Sequence, residues 1–399
     1  MSMKDIFEQL IKTQVFSNIQ NAEGEIYFVG GCVRDYYLNR KSKDIDVIVR
    51  LLPFDKLNPI LLKTGKCDLV GQSFGVIKYI DNSGFELDIA LPRTDKKGEG
   101  DKHQDIETQS DPFMPLEKDL KRRDFTFNAM AIDMNLNLID PFEGLEDLKN
   151  GVVKCVDDKA FVDDPLRIMR GLRFAAQLGF RIEKKTHGLI KLHKSKLNNI
   201  SPERKHDELV KIANSKRNSE FLYRIFKSSH TIKNIFGVEF KNFTPKINIT
   251  SLPEMLSMIV SDFFSSIDHK IDFFKKNLKI SVDEQNQLKA LCFYKKRFPI
   301  VIGIKEHNRL LFDCLNIAKN TDILNSELIP EDIKINFQNG VFPIHKHQIA
   351  LTGEDLMEFG YFGKDIANMH EKLLEEIFSL KVLNNKWELT KFVYNKMPK

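Results

Sequence analysis

The spacing of apolar residues changes near residue 157, and that change constrains the chain more than any other feature. Upstream, short β-branched runs alternate with turns: EIYFV, DIDVIV, GVIKYI, FELDIAL, MAIDM, LNLID and GVVKCV. Such runs, bounded by turn residues, predict strands. AIDMNLNLIDP predicts a hairpin turning over Asn135 to Asn137. Downstream, apolar residues recur at helical steps. DDPLRIMRGLRFAAQLGF sets Leu166, Met169, Leu172 and Ala176 three or four apart and stops at Gly179. SPERKHDELVKIANS offers Ser201 as a cap and Pro202 as a first helical residue. The expected class is α+β, a head with a small mixed sheet followed by an all-helical remainder.

With 399 residues the chain exceeds one ordinary core. Its net charge of +5 permits nucleic acid as a partner without requiring it. No apolar run reaches membrane-spanning length, and the acids within MSMKDIFEQLIKTQ argue against a signal peptide. The five cysteines are scattered, with no Cys-x-x-Cys pair, which argues against a disulfide framework or a zinc ribbon and for a cytoplasmic setting.

One stretch concentrates chemistry. Gly30-Gly31 follows the strand IYFV and precedes the helical CVRDYYL. Glycines let a backbone approach a ligand, and amides at a helix start favour phosphate oxygens. Arg34 lies one turn further on, and Asp44 and Asp46 follow in DIDVIV. Residues i and i+2 of a strand share a face, so the two carboxylates are expected together, with a cation such as Mg²⁺ between them. A third acid would complete a two-metal site; Asp88 in FELDIAL is preferred to its same-face neighbour Glu86. A dinucleotide loop fits poorly, because no third glycine and no βαβ pattern follow.

GGCVRD followed by DIDV resembles the first motif of the class II tRNA nucleotidyltransferase (CCA-adding) and bacterial poly(A) polymerase family, within the polymerase-β-like nucleotidyltransferases. DLKRRDFTFNAMAID, DPFEGLEDLKNGVVKCV, DDPLRIMRGLRFAAQLGF and SPERKHDELVKI resemble its later motifs, in family order, from about residue 25 to 213. The resemblance implies a catalytic head over 1–156, a base-selecting neck over 157–220, a body over 221–325 and a tRNA-binding tail over 326–399. It implies catalytic Asp44, Asp46 and Asp88, with Mg²⁺ on Asp44 and Asp46. Gly30, Gly31, Arg34, Arg122, Arg123, Asp124, Asn128, Asp164, Arg167, Arg170 and Arg173 are the expected nucleotide-binding residues. Arg123 is the preferred contact of its pair. Asp124 and Asn128, four apart, are read as sharing a helix face, holding a ribose hydroxyl or ordering the arginines. Asp164 and Arg167 match a protein template whose acceptor and donors suit cytosine and adenine but not uracil and guanine.

One position departs from the family. Asp163 stands where Glu is usual, so a hydrogen bond steadying Arg167 is expected to lengthen or reroute. The implied activity is template-independent addition of C, C and A to tRNA from CTP and ATP, releasing pyrophosphate, with no membrane and no stable protein partner. The close alternative is a poly(A) polymerase; enzymes adding only CC or only A are others, and a catalytically decayed RNA-binding protein is the alternative from another class. VGQSFGVIKYI, LDIALPR and the lack of an extended basic tail favour the tRNA enzyme, and the uncut loop from Thr94 to Lys118 argues against a CC-only enzyme. All the acids of the site are present, which argues against decay. His206-Asp207 lacks the partner histidines of a metal phosphohydrolase, and the Phe-rich SDFFSSIDHKIDFFKK is read as core plus solvated face.

Overall fold

A computed structural model describes residues 2–70, 76–97 and 106–396. The chain forms two compact units, Met1–Ser201 with Ser229–Asn234, and Pro202–Ser228 with Ile235–Lys399.

The first unit opens with helices α1 (Met3–Ile11) and α2 (Gln14–Asn21). Ser2 and Asp5 close a reciprocal capping box at the start of α1. Met3, Phe7 and Leu10 then bury one stripe. Next come β1 (Glu25–Val29), α3 (Gly31–Tyr37), β2 (Asp46–Arg50), α4 (Phe54–Thr64), β3 (Gly65–Val70), β4 (Val76–Asp81) and β5 (Glu86–Ala90). A separate hairpin, β6 (Arg93–Lys97) with β7 (Ile106–Ser110), precedes α5 (Leu116–Lys121), β8 (Ala131–Asp133) and β9 (Leu138–Ile139). The expected loop from Thr94 to Lys118 therefore carries two strands and a helix start. Its residues 98–105, and residues 71–75 of VGQSFGVIKYI, lie outside the described residues.

The sheet is mixed and seven-stranded, in the order β3-β4-β5-β2-β1-β8-β9. Its pairs are antiparallel except β2 with β5, which is parallel. The expected hairpin joins β8 to β9, and the Asp133 carboxylate accepts the amides of Asn135 and Asn137 in its turn. β1 is covered on both faces. Phe28 stacks on Phe7 with ring centres 3.9 Å apart, while Val29 joins Ile48, Leu116, Leu120, Ala129 and Ala131 in a core beneath α5.

The unit continues through α6 (Gly144–Lys149), the short parallel pair β10 (Val152–Val153) and β11 (Arg181–Ile182), α7 (Asp158–Asp163), α8 (Pro165–Leu178) and α9 (Lys184–His193). Asp164 caps α8 by accepting the Leu166 amide at 3.0 Å, and Gly179 ends it as expected.

The second unit is helical in its described residues, beginning with α10 (Pro202–Ala213) and α11 (Ser219–Ser228). One of its cores gathers Leu311, Phe312, Leu315, Phe337, Leu374 and Phe378. Phe274 is buried while Phe263 is half exposed, as the reading of the Phe-rich segment expects. Among the described residues, no helix is long and apolar enough to cross a membrane.

Candidate functional site

The glycine turn and the acids meet at one end of β1 and β2. The antiparallel register pairs Val29 with Asp46, so Gly30, the next residue, leaves the sheet beside the Asp46 carboxylate. Gly30 has φ +76° and ψ −134°, a conformation open to glycine and strained for other residues. A Cβ on it would lie 2.7 Å from Arg123 Nη1 and 3.1 Å from Asp46 Oδ2. The missing side chain is what allows the guanidinium and the carboxylate to flank the turn.

Across the sheet, Asp46 lies opposite Asp88 in the parallel β2–β5 register. Asp88 therefore stands beside Asp46, and the rival Glu86 is an exposed residue at the start of β5. One expectation fails here. The strand begins at Asp46, not Asp44. Asp44 sits in the preceding bend, where its carbonyl accepts the Ser42 hydroxyl at 2.8 Å, and its side chain is exposed. Strand alternation thus does not bring Asp44 to Asp46; the bend does. The electrostatics register this crowding. Burial first of all pushes the Asp46 carboxyl above the usual Asp range; Arg123 opposes the rise, and Asp88 and Asp44 add to it.

Excess negative charge at a half-buried carboxylate fits a divalent cation. Among the described residues, no three His, Cys, Asp or Glu side chains converge as a metal cage. A cation here would take its remaining ligands from water and substrate phosphate, the usual habit of Mg²⁺. Cys32, inside the same turn, is no rival ligand. Its thiol donates to the Val29 carbonyl at 3.1 Å, and burial pushes it up to about 12.

The arginines form a second layer. Arg34 makes a two-pronged pair with Asp35, at 3.0 and 2.9 Å, and donates from Nη1 to Asn128 Oδ1 at 2.9 Å. Asn128 donates in turn to Asp124 at 3.0 Å, and Asp124 accepts Arg170 Nε at 2.7 Å. Asp124 and Asn128 do not share an α-helix face as expected. α5 ends at Lys121, and Asn128 closes a 3-10 turn over Thr126–Asn128. The contact survives because the short turn brings the two side chains together. Burial works against the Asp124 charge, but Arg170 and the Asn128 hydrogen bond outweigh it and hold the carboxyl below the usual range. Beneath lies Phe174, whose ring has the guanidinium carbons of Arg173, Arg34 and Arg170 at 4.0, 5.3 and 5.7 Å. The geometry thus serves to order arginines.

Arg167 donates from Nη2 to the Arg122 carbonyl at 2.7 Å and from Nη1 to the Arg123 carbonyl at 3.5 Å, with Nε 4.0 Å from Asp164. Among the described residues, Asp163 accepts no hydrogen bond from Arg167; the main-chain carbonyls hold it. Gly31 is close to Arg34, whose Nη2 would be 3.7 Å from an added Cβ. In the second unit, His206 heads no metal cluster among the described residues; its Nε2 lies 2.9 Å from Glu284.

Sequence reasoning passed over Asp119, Asp35 and Phe174. Asp119 is fully buried and binds both Arg122 and Arg123. Its spacing of three and four residues before that pair is the ordinary signature of helical ion pairs.

Two family profiles match the chain: the one described as "Poly A polymerase head domain" over residues 26–154, and "Probable RNA and SrmB- binding site of polymerase A" over 179–231. A CCA-adding enzyme of Ligilactobacillus salivarius is 30% identical over 397 residues, covering 93% of each protein. One of Staphylococcus saprophyticus is 29% identical over 403 residues, covering 95% of this chain and 96% of its own. Among solved structures, the Bacillus stearothermophilus CCA-adding enzyme in complex with CTP matches with a TM-score of 0.67 at 21% identity, over 98% of this chain and 97% of its own. These structures share the fold.

Proposed function

The chain belongs to the CCA-adding enzyme family, and from that premise we propose that it adds C, C and A to the 3′ end of tRNA, drawing on CTP and ATP and releasing pyrophosphate. The observation that carries the reading is the placement of Asp46 opposite Asp88, with Gly30 and Arg123 beside them. In this reading the tRNA 3′-hydroxyl attacks the α-phosphorus of the incoming nucleotide in line.

Enzymes of this family work with divalent metal; we assign Mg²⁺, held by Asp44 and Asp46, with Asp88 as the third catalytic acid. When bound, it would offset triphosphate charge and favour ionisation of the attacking hydroxyl. The protein's own groups do the rest. Gly30 and Gly31 let the triphosphate approach the backbone. Arg34 and Arg123 grip its oxygens, and Arg122, through its carbonyl, anchors Arg167. Asp124 and Asn128 hold Arg34 and Arg170 in place, and Arg173 packs on Phe174. Asp164 and Arg167 select the base; the cap on α8 and the two carbonyls support a rigid template.

We assign catalysis to residues 1–156, base selection to 157–220, and tRNA binding to the tail over 326–399, with the body over 221–325 between them and the reaction in the cytoplasm. The test offers tRNA ending at the discriminator base with CTP, ATP, both, or UTP, and resolves products to single nucleotides. The expected product with both is CCA and nothing longer. Asp46→Asn should end incorporation while the unfolding transition remains. A long adenylate ladder on unrelated RNA, or an active Asp46→Asn, would overturn the reading.

A further inference from the structure

Asp119 has no part in the roles assigned above, yet it is fully buried and accepts three hydrogen bonds among the described residues. Oδ1 accepts Arg122 Nε at 2.8 Å and the Arg93 amide at 3.2 Å, and Oδ2 accepts Arg123 Nη2 at 3.3 Å. Burial works against its charge, but Arg123 and Arg122 outweigh burial and hold the carboxyl below the usual Asp range. Asp119 therefore favours its charged form at the root of the arginine pair.

Arg123 stands between two carboxylates. Asp119 holds one end nitrogen, while the other, Nη1, flanks Gly30 from the same side as Asp46 Oδ2. No ion pair within 4.0 Å joins Arg123 to Asp46 among the described residues, although its charge acts on that carboxyl. Its buried Nε has no hydrogen-bond partner among them either. A guanidinium released from Asp119 would find the Asp46 carboxylate beside it at the Gly30 turn. Attraction between unit charges grows as they approach and strengthens out of water. An arginine closed onto Asp46 would occupy the oxygen assigned to the metal.

We propose that Asp119 is a positioning residue that tethers Arg123 away from Asp46, keeping Asp46 open to a divalent cation and the other end of Arg123 open to phosphate. The proposal rests on the metal reading above and adds to it. Nη1 of Arg123 is the end nitrogen that flanks the turn, while Nη2 is held by the tether. Losing it frees a cation to compete with the metal.

The test measures Mn²⁺ binding to the full chain without tRNA or nucleotide, by electron paramagnetic resonance of the free ion. Asp46→Asn should abolish tight binding; if it does not, the metal reading falls and the tether with it. Given that loss, Asp119→Asn should weaken Mn²⁺ binding by about tenfold, the scale on which groups behind metal ligands act. In an Arg123→Ala background the same change should have no effect, because the competing cation is gone. Asp119→Glu keeps the charge and should bind Mn²⁺ within about twofold of wild type, and it serves as the test if the Asn variant does not fold. Unchanged Mn²⁺ affinity in Asp119→Asn, an equal loss with and without Arg123, or a tenfold loss in Asp119→Glu would each overturn the tether.

Discussion

Replacing Gly30 with alanine separates backbone strain from displacement of the neighbouring guanidinium. The residue sits at φ +76° and ψ −134°. Holding a Cβ-bearing residue in such a sparsely populated region costs about 1–3 kcal/mol. The close contact adds to that, since Arg123 Nη1, 2.7 Å from the new Cβ, can move only against its bond to Asp119. For a unit of this size, a loss of about 2 kcal/mol lowers the melting temperature by about 4–8 °C. The functional effect is separate. On the proposed reading, in which Arg123 grips the triphosphate, moving it would remove a charged hydrogen bond worth about 1.5–3 kcal/mol, or about ten- to a hundredfold in kcat/KM. Calorimetry gives the first quantity and single-turnover incorporation the second. Gly84→Ala supplies the control: that glycine also has positive φ, at +90°, but an added Cβ there meets nothing within 4 Å. It should lose stability and keep activity. A Gly30→Ala protein that melts within 1 °C of wild type (about the error of such a scan) and turns over normally would refute the reasoning.

Two further outcomes follow from the same geometry and from the second unit. Because Arg167 is held by the carbonyls of Arg122 and Arg123, Asp163→Glu should leave the preference for CTP and ATP over UTP within about twofold, and a tenfold shift in competitive incorporation would contradict this. Lys270 is buried, donates to the carbonyls of Ser257 and Ile259, and is pulled by burial from 10.5 down to about 8. A depressed lysine favours the folded state in full above the unfolded value and loses that contribution as pH falls through the folded one. The stability of wild type relative to Lys270→Met should therefore climb between about pH 8 and 10.5, by up to about 3 kcal/mol; a flat difference in denaturant titrations across that window would refute it.

Much of the head was legible because its signals are local. EIYFV, GVIKYI and the Asn135 turn formed where alternation and turn residues placed them. Asp88 could be preferred to Glu86 from the run itself, but only the register with β2 sets it beside Asp46. Asp44 escaped the pattern because two acids one residue apart read alike in a strand and in the bend before one. Asp124 and Asn128 escaped for a related reason: four-residue spacing makes the same contact in an α-helix and in a 3-10 turn after an extended residue. The β6–β7 hairpin was hidden because RTDKK and IETQS carry almost no apolar residues to alternate. Asp119 carried a readable spacing but no sign of its burial, and burial is what makes its charge consequential. Arg34 and Phe174 meet across the whole head, a distance no local pattern spans.

The parallel pairing of β2 with β5 also bears on how the head assembles. β1 and β2 can zip together early, since little chain separates them. Asp88 arrives only after the chain has gone out through α4, β3 and β4 and come back to dock against β2. Closing so long an excursion carries an entropic cost that local hairpins avoid. During refolding, the pairing of Asp46 with Asp88 should therefore appear late, after the β1–β2 hairpin, and marks closure of the central sheet.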